Sequence, residues 1–157
     1  MIELVQIRDT EELMKWRKEV IENVFYQEPD VSLLESNIEY YGRHIPAGTH
    51  IAFKALYNGE EAGCGSLCLY DELPSPDNPT GYCAYLMNIY VRNPFRQHGI
   101  AHTIVERLVR EAEANNCGKV YLETTDDGRG VYESLGFRDM PDMMKLNKDE
   151  RDRGKEA

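Results

Sequence analysis

The stretch Tyr85–Ala101, YLMNIYVRNPFRQHGIA, decides how this chain is read. It opens apolar and β-prone, with Tyr85, Leu86, Met87, Ile89, Tyr90 and Val91. Residue types and short length predict a buried strand. Pro94 stops it, because proline offers no ladder N–H and drives Asn93 toward an extended conformation. Arg96-Gln97-His98-Gly99-Ile100-Ala101 follows. Ile100, Ile104, Val105, Leu108, Val109 and Ala112 then recur at the roughly 3.6-residue period of an amphipathic helix. That helix is expected to end near Asn115–Gly118, with Gly118 as a left-handed cap.

The geometry is thus strand, short turn, helix, with small residues in the turn. The first N–H groups of a helix have no partner within it, and the helix dipole adds partial positive charge at that end. A phosphate or pyrophosphate fits there. Gly99 and Ala101 would let such a group approach the backbone, and Arg96 would add a charged donor. The alternative is an ordinary strand–helix junction in which Gly99 serves only the turn.

Arg96-Gln97-His98-Gly99-Ile100-Ala101 resembles the Arg/Gln-x-x-Gly-x-Gly/Ala signature of the GNAT superfamily of N-acetyltransferases. It follows a strand ending in apolar-Tyr-Val-x-x-Pro, where that family carries it. Downstream, Gly130-Val131-Tyr132-Glu133-Ser134-Leu135-Gly136-Phe137 resembles the family's Tyr-x-x-x-Gly-Phe landmark. The resemblance covers Ala84 to Phe137 well and the N-terminal half in outline. It implies acetyl transfer from acetyl-CoA, as cosubstrate, to an amine of a small molecule or peptide by direct attack. It also implies cofactor contacts at Ile89, Tyr90 and Val91, along a strand edge splayed at a bulge, and at Arg96, Gln97, His98, Gly99, Ile100 and Ala101 around the pyrophosphate. Tyr132 stands at the family position for the catalytic proton donor to the departing thiolate.

Composition agrees with one soluble domain. The chain has 157 residues, 41% hydrophobic and 29% charged, which is neither a disordered nor a membrane composition. No apolar run is long enough to span a bilayer, and Met1-Ile2-Glu3-Leu4-Val5 lacks a signal peptide's features, so the expectation is a cytoplasmic protein without membrane contact. The formal charge of −10, from 28 acidic and 18 basic residues, argues against nucleic acid and suits a cationic amine. Cys64, Cys68, Cys83 and Cys117 form no C-x-x-C pair, and His98 and His102, four apart, lack a third ligand, so no metal is expected.

Outward from the central stretch, Ile2–Ile7 reads as a strand, and Asp9 caps a helix carrying Leu13, Trp16, Val20 and Val24 to about Phe25. A second helix begins near Ser32. Glu28, Asp30, Glu35 and Glu39 in this region either face a cationic substrate or form a solvated acidic face. Thr49–Tyr57 and a partner running from Glu60 or Glu61 to Tyr70 make a hairpin through Asn58-Gly59. The proline-rich loop Asp71–Gly81 carries Asp71, Glu72 and Asp77, which would line an acceptor entrance or simply solvate the loop. Lys119–Thr125 is read as a strand and Arg129–Leu135 as a short helix. Met143, Met144 and Leu146 are placed in a final strand, and the charged tail 148–157 is expected to fray.

The order β-α-α-β-β-β-α-β-α-β predicts an α/β chain of mixed α+β character. Its GNAT-like central sheet is mixed and mostly antiparallel, with helices on both faces, in a single domain over residues 1–147. A neutral amine is required for attack, so a base or water chain must deprotonate the acceptor; Glu123 and Glu72 are candidates and the base stays unassigned. The family's frequent asparagine after this strand is replaced by Thr125-Asp126-Asp127. A catalytically idle acyl-CoA-binding sensor on the same fold is the rival reading. A dinucleotide fold is set aside for want of G-x-G-x-x-G after the first strand. The oligomeric state is open, a homodimer included.

Overall fold

The computed structural model describes residues 1–156. Five strands form one sheet in chain order: β1 (Ile2–Ile7), β2 (His50–Tyr57), β3 (Glu60–Asp71), β4 (Tyr82–Val91) and β5 (Lys119–Leu122). The first four pair antiparallel, and β5 joins β4 in parallel. Asn58 and Gly59 both adopt positive φ (49° and 86°), the primed turn that matches strand twist, so the β2–β3 hairpin closes as expected.

Helices α1 (Thr10–Val24) and α2 (Val31–Ala47) lie between β1 and β2 in sequence. Asp9 caps α1 by accepting the Glu12 N–H at 3.1 Å, and Asp30 caps α2 by accepting the Leu33 N–H at 2.8 Å. These helices cover one sheet face, where Leu13, Trp16, Val20 and Tyr41 pack with Ala52, Cys64 and Tyr90. Helix α3 (Ile100–Ala114) covers the other. Its Ile100, Ile104, Val105, Leu108 and Ala112 are buried against Phe53, Leu67, Ala84 and Leu86. Each fully buried Leu or Ile contributes about 1.5–3 kcal/mol, so this stripe anchors the turn preceding α3. Helices therefore flank both faces of a mixed, mostly antiparallel sheet, as the sequence predicts.

Four expectations fail. The strand predicted over Lys119–Thr125 stops at Leu122. The left-handed residue ending α3 is Asn116 (φ 59°), not Gly118. Gly118 is glycine for another reason: a Cβ there would stand 2.2 Å from the Asn78 Oδ1. No strand forms over Met143–Leu146. Met143, Met144 and Leu146 are exposed, and β5 closes the sheet with an unpaired outer edge. Finally, the tail does not fray throughout. It forms α5 (Lys148–Glu156), where Asn147 accepts the Glu150 N–H at 3.0 Å and Asp149 and Glu150 sit at the positive end of the helix dipole. The short helix α4 (Arg129–Ser134) falls where predicted.

His50, at the start of β2, is 4% exposed and lies edge-on to Tyr40 and Tyr41. Its Nδ1 is 2.8 Å from the Tyr40 hydroxyl, and its Nε2 is buried without a partner among the described residues. Burial, reinforced by His44 and Arg17, lowers its pKa to about 4. Below about pH 6.5 the unfolded chain takes up a proton that the folded chain refuses, so this contribution to stability is lost as pH falls toward 4. Urea unfolding at pH 7 and pH 5 should differ by about 2 kcal/mol through this group, and His50→Gln should flatten that difference. An unchanged slope in the variant would assign the pH dependence elsewhere.

Candidate functional site

The site is built where β4 parts from β5 and bulges against β3. On the β5 side, pairing runs from Cys83↔Lys119 to Leu86↔Leu122 and stops, so the strands fork beyond Leu86. On the β3 side, Met87 opposes Ser66 and Tyr90 opposes Cys64, which leaves Asn88 and Ile89 facing Gly65 alone. This is a bulge, and it bends β4. Asn88 takes φ 57°, a left-handed conformation that asparagine tolerates better than most residues. The Ser66 hydroxyl donates to the Met87 carbonyl (3.2 Å) and the Cys64 thiol to the Asn88 carbonyl (3.4 Å), in place of interrupted ladder bonds.

Two helices pin the bulge. Arg17 of α1 donates through Nη1 to the Asn88 Oδ1 (2.9 Å) and through Nε to the Asn37 Oδ1 of α2 (3.0 Å). Beyond it, Arg92 grips Glu19 of α1 with Nε and Nη2 at 2.8 and 2.9 Å, and its guanidinium lies over the Trp16 ring at 4.5 Å. The Arg92 bonds hold the Glu19 carboxyl below the usual range despite partial burial. Sequence reasoning missed both clamps. Asn88, polar inside an apolar run, was the available signal.

Of the expected strand-edge residues, Tyr90 is buried beneath α1, while Ile89 and Val91 pack partly against the α3 core. After β4, a 3-10 turn (Asn93–Phe95) leads into Arg96, and Gln97 and Gly99 both adopt positive φ (65° and 78°). Thr103 makes the first helical bond, its N–H donating to the Gly99 carbonyl at 3.1 Å. The N–H groups of Ile100, Ala101 and His102 precede it and have no partner within the helix. A Cβ on Gly99 would meet nothing within 4 Å, so the cradle is open.

The side chains of this turn divide. Arg96 folds back, its Nε donating to the Val91 carbonyl at 3.1 Å. His98 stacks on Tyr57 with ring centroids 4.8 Å apart. Gln97 is exposed, and Ile100, only 2% exposed, offers the site its backbone alone. The turn is thus a backbone cradle with one movable cation beside it.

Tyr132 on α4 is half-buried and meets Phe137 edge-on at 6.0 Å. Burial pushes its phenol above the ordinary value, so it is a protonated donor at neutral pH. It lines a cavity of about 760 Å³ together with Val109, Leu122, Glu123, Phe137 and Met143. The two candidate bases differ. Glu72 is paired with Lys119 at 3.4 Å, whereas Glu123 has no ion pair among the described residues and faces the Tyr85 phenol. Burial and that carboxylate push the Tyr85 phenol up to about 12.

Other sequence candidates take structural places. Asp30 is a helix cap; Glu28, Glu35 and Glu39 are exposed. Asp77 accepts from the Ser75 hydroxyl at 2.7 Å within its own loop. His102 sits 3.7 Å from Glu106, away from His98, and no metal-binding cluster of three or more His, Cys, Asp or Glu occurs among the described residues. All four cysteines are free thiols; Cys64 is buried, which raises its pKa and leaves it inert.

The chain matches the acetyltransferase (GNAT) family over residues 10–137. No curated protein sequence matches it. Among solved structures, a predicted acetyltransferase of Clostridium acetobutylicum, crystallised with acetyl-CoA, is 26% identical. The match covers 96% of this chain and 98% of that one, with a TM-score of 0.83. A GCN5-related N-acetyltransferase from Ralstonia eutropha JMP134 is 18% identical over 94% of this chain and 99% of its own, at a TM-score of 0.76. AAC(6')-Iy, solved with the bisubstrate analogue CoA-S-monomethyl-acetylneamine, is 16% identical over 94% and 97%, at 0.72. The last two share the fold.

Proposed function

The chain belongs to the acetyltransferase (GNAT) family, and from that premise we propose that it moves the acetyl group of acetyl-CoA directly to a primary amine. The observation that carries this reading is the free β4 edge beyond Leu86 running into the open Gly99 cradle. An extended, amide-bearing arm ending in a pyrophosphate needs those two features in that order.

The donor set fits acetyl-CoA. The N–H groups of Ile100, Ala101 and His102 would receive pyrophosphate oxygens at the positive end of α3. Arg96 would swing from the Val91 carbonyl to add a charge-assisted bond and free that carbonyl for the pantetheine amides. Gln97, His98 and Gly99 shape the cradle, and Ile89, Tyr90 and Val91 supply backbone groups along the edge. Bound acetyl-CoA supplies the activated thioester. At the fork, a backbone N–H of the bulged strand would polarise its carbonyl, and Tyr132 would protonate the departing thiolate. Tyr132, half-buried and lining the cavity, favours an enzyme over an idle sensor.

Calorimetric titration with acetyl-CoA, with CoA and NAD alongside, tests the donor site: both CoA species should bind and NAD should not. Thiol release across an amine panel then tests transfer. Tyr132→Phe should lower turnover about ten-fold or more while leaving acetyl-CoA affinity nearly intact. Turnover at the parental rate would remove Tyr132 from the mechanism.

A further inference from the structure

The sheet face opposite α3 carries an organised aromatic surface at the fork. Along β5, Val120 and Leu122 pack toward the α3 core, so Tyr121 points to the other face, and Glu123 follows just past the strand's end. On β4, Ala84 and Leu86 likewise pack toward α3, which sends Cys83 and Tyr85 the other way. Register sets Tyr85 beside Tyr121 and Tyr70 beside Cys83. The Tyr85 and Tyr121 rings lie 5.0 Å apart; those of Tyr70 and Tyr121 lie 6.4 Å apart, with their hydroxyls hydrogen-bonded to each other. Helices α1 and α2 pack over β2 and the second half of β4, and the three tyrosines stay partly exposed.

The ends of this shelf differ in charge. Glu123 is the first residue past the Leu86↔Leu122 pair, so it stands at the fork, two residues along from Tyr121, the partner of Tyr85. At the other end the Lys119 ammonium lies 5.1 Å from the Tyr121 ring centroid and pairs with Glu72. From 119 to 123 the strand spacing gives about 13 Å.

We propose that this shelf is the acceptor site and that the acceptor is a monocationic arylalkyl amine. Its ammonium meets Glu123 at the exposed fork and gives up a proton to water there before the neutral amine attacks the thioester. Its flat apolar body lies along Tyr85, Tyr121 and Tyr70. The inference rests on the acetyl-transfer reading above and deepens it. A carboxylate beside aromatic rings favours an organic cation. A second ammonium at the far end would find the Glu72 carboxylate already engaged by Lys119, which disfavours polyamines. The Tyr70 and Tyr121 hydroxyls already bond each other, so a polyhydroxylated amine finds few partners. Glu123 is thus a specificity-determining residue.

The test uses phenethylamine, spermidine and glucosamine with the full chain, by thiol release and by titration of each amine into protein saturated with CoA. Phenethylamine should bind, and its kcat/KM should exceed the others' by about ten-fold or more. Glu123→Gln should raise the phenethylamine KM by about 10–100-fold, with a smaller change in kcat and unchanged acetyl-CoA affinity. Glu123→Asp, which keeps the charge, should lose less, and Tyr121→Leu should narrow the preference among amines. Preference for spermidine or glucosamine, or a parental KM in Glu123→Gln, overturns the proposal while acetyl-CoA binding leaves the donor reading standing. Failure of the parental chain to bind acetyl-CoA overturns both.

Discussion

Gly99→Glu is expected to abolish acetyl-CoA binding, raising Kd by at least about 100-fold, while the fold survives. The site explains why the two effects separate. A Cβ at Gly99 meets nothing within 4 Å, so the side chain enters open space without a steric clash. Its cost to folding is the positive φ of 78°, about 1–2 kcal/mol for a residue with a Cβ. A carboxylate beside the first turn of α3 recovers about 0.3–1 kcal/mol from the helix dipole. That same carboxylate satisfies the Ile100–His102 amides that would receive the pyrophosphate, and it repels the phosphate charge. Gly99→Asn is the control, because asparagine tolerates left-handed backbone and adds no charge; its Kd should stay within a few-fold of parental. A folded Gly99→Glu protein that titrates acetyl-CoA with parental affinity would refute the cradle.

Much of this site could be read from residues close together in sequence. Strand, Pro94, turn and amphipathic helix are local signals, and each element formed where its own residues placed it. The Asp9 cap and the Asn58-Gly59 turn are local in the same way. What escaped the reading depends on long-range partners. The Asn88 bulge holds because Arg17 reaches it from α1, 71 residues away in sequence. Gly118 is small because Asn78, in the loop that leads into β4, occupies its Cβ position. The two candidate bases looked alike in sequence; Lys119 separates them by pairing with Glu72 and leaving Glu123 at the fork. Met143, Met144 and Leu146 have strand-compatible side chains, yet a strand also needs a ladder partner, and among the described residues none docks on the outer edge of β5.

Gly63→Ala should be the most damaging single-methyl change near the site, because backbone lies on the far side of the gap. Gly63 of β3 pairs with Val91, at the end of the bulged segment. A Cβ there would stand 2.4 Å from the Tyr90 carbonyl oxygen and 3.2 Å from the Val91 Cα. Neither atom can rotate away, so β4 itself must shift. Overpacking of this kind costs about 2–3 kcal/mol, which lowers Tm by roughly 5–10 °C in a chain of this size. The displaced residues are also those expected to line the cofactor arm, so acetyl-CoA affinity should fall together with stability. Gly42→Ala provides the contrast. It lies exposed on α2 with nothing within 4 Å of its Cβ, and alanine is the better helix former by about 0.8–1 kcal/mol, so Tm should rise. Thermal melts and acetyl-CoA titrations of both variants decide the matter. If Gly63→Ala melts and binds like the parent, the close approach of β3 to the bulged end of β4 is wrong.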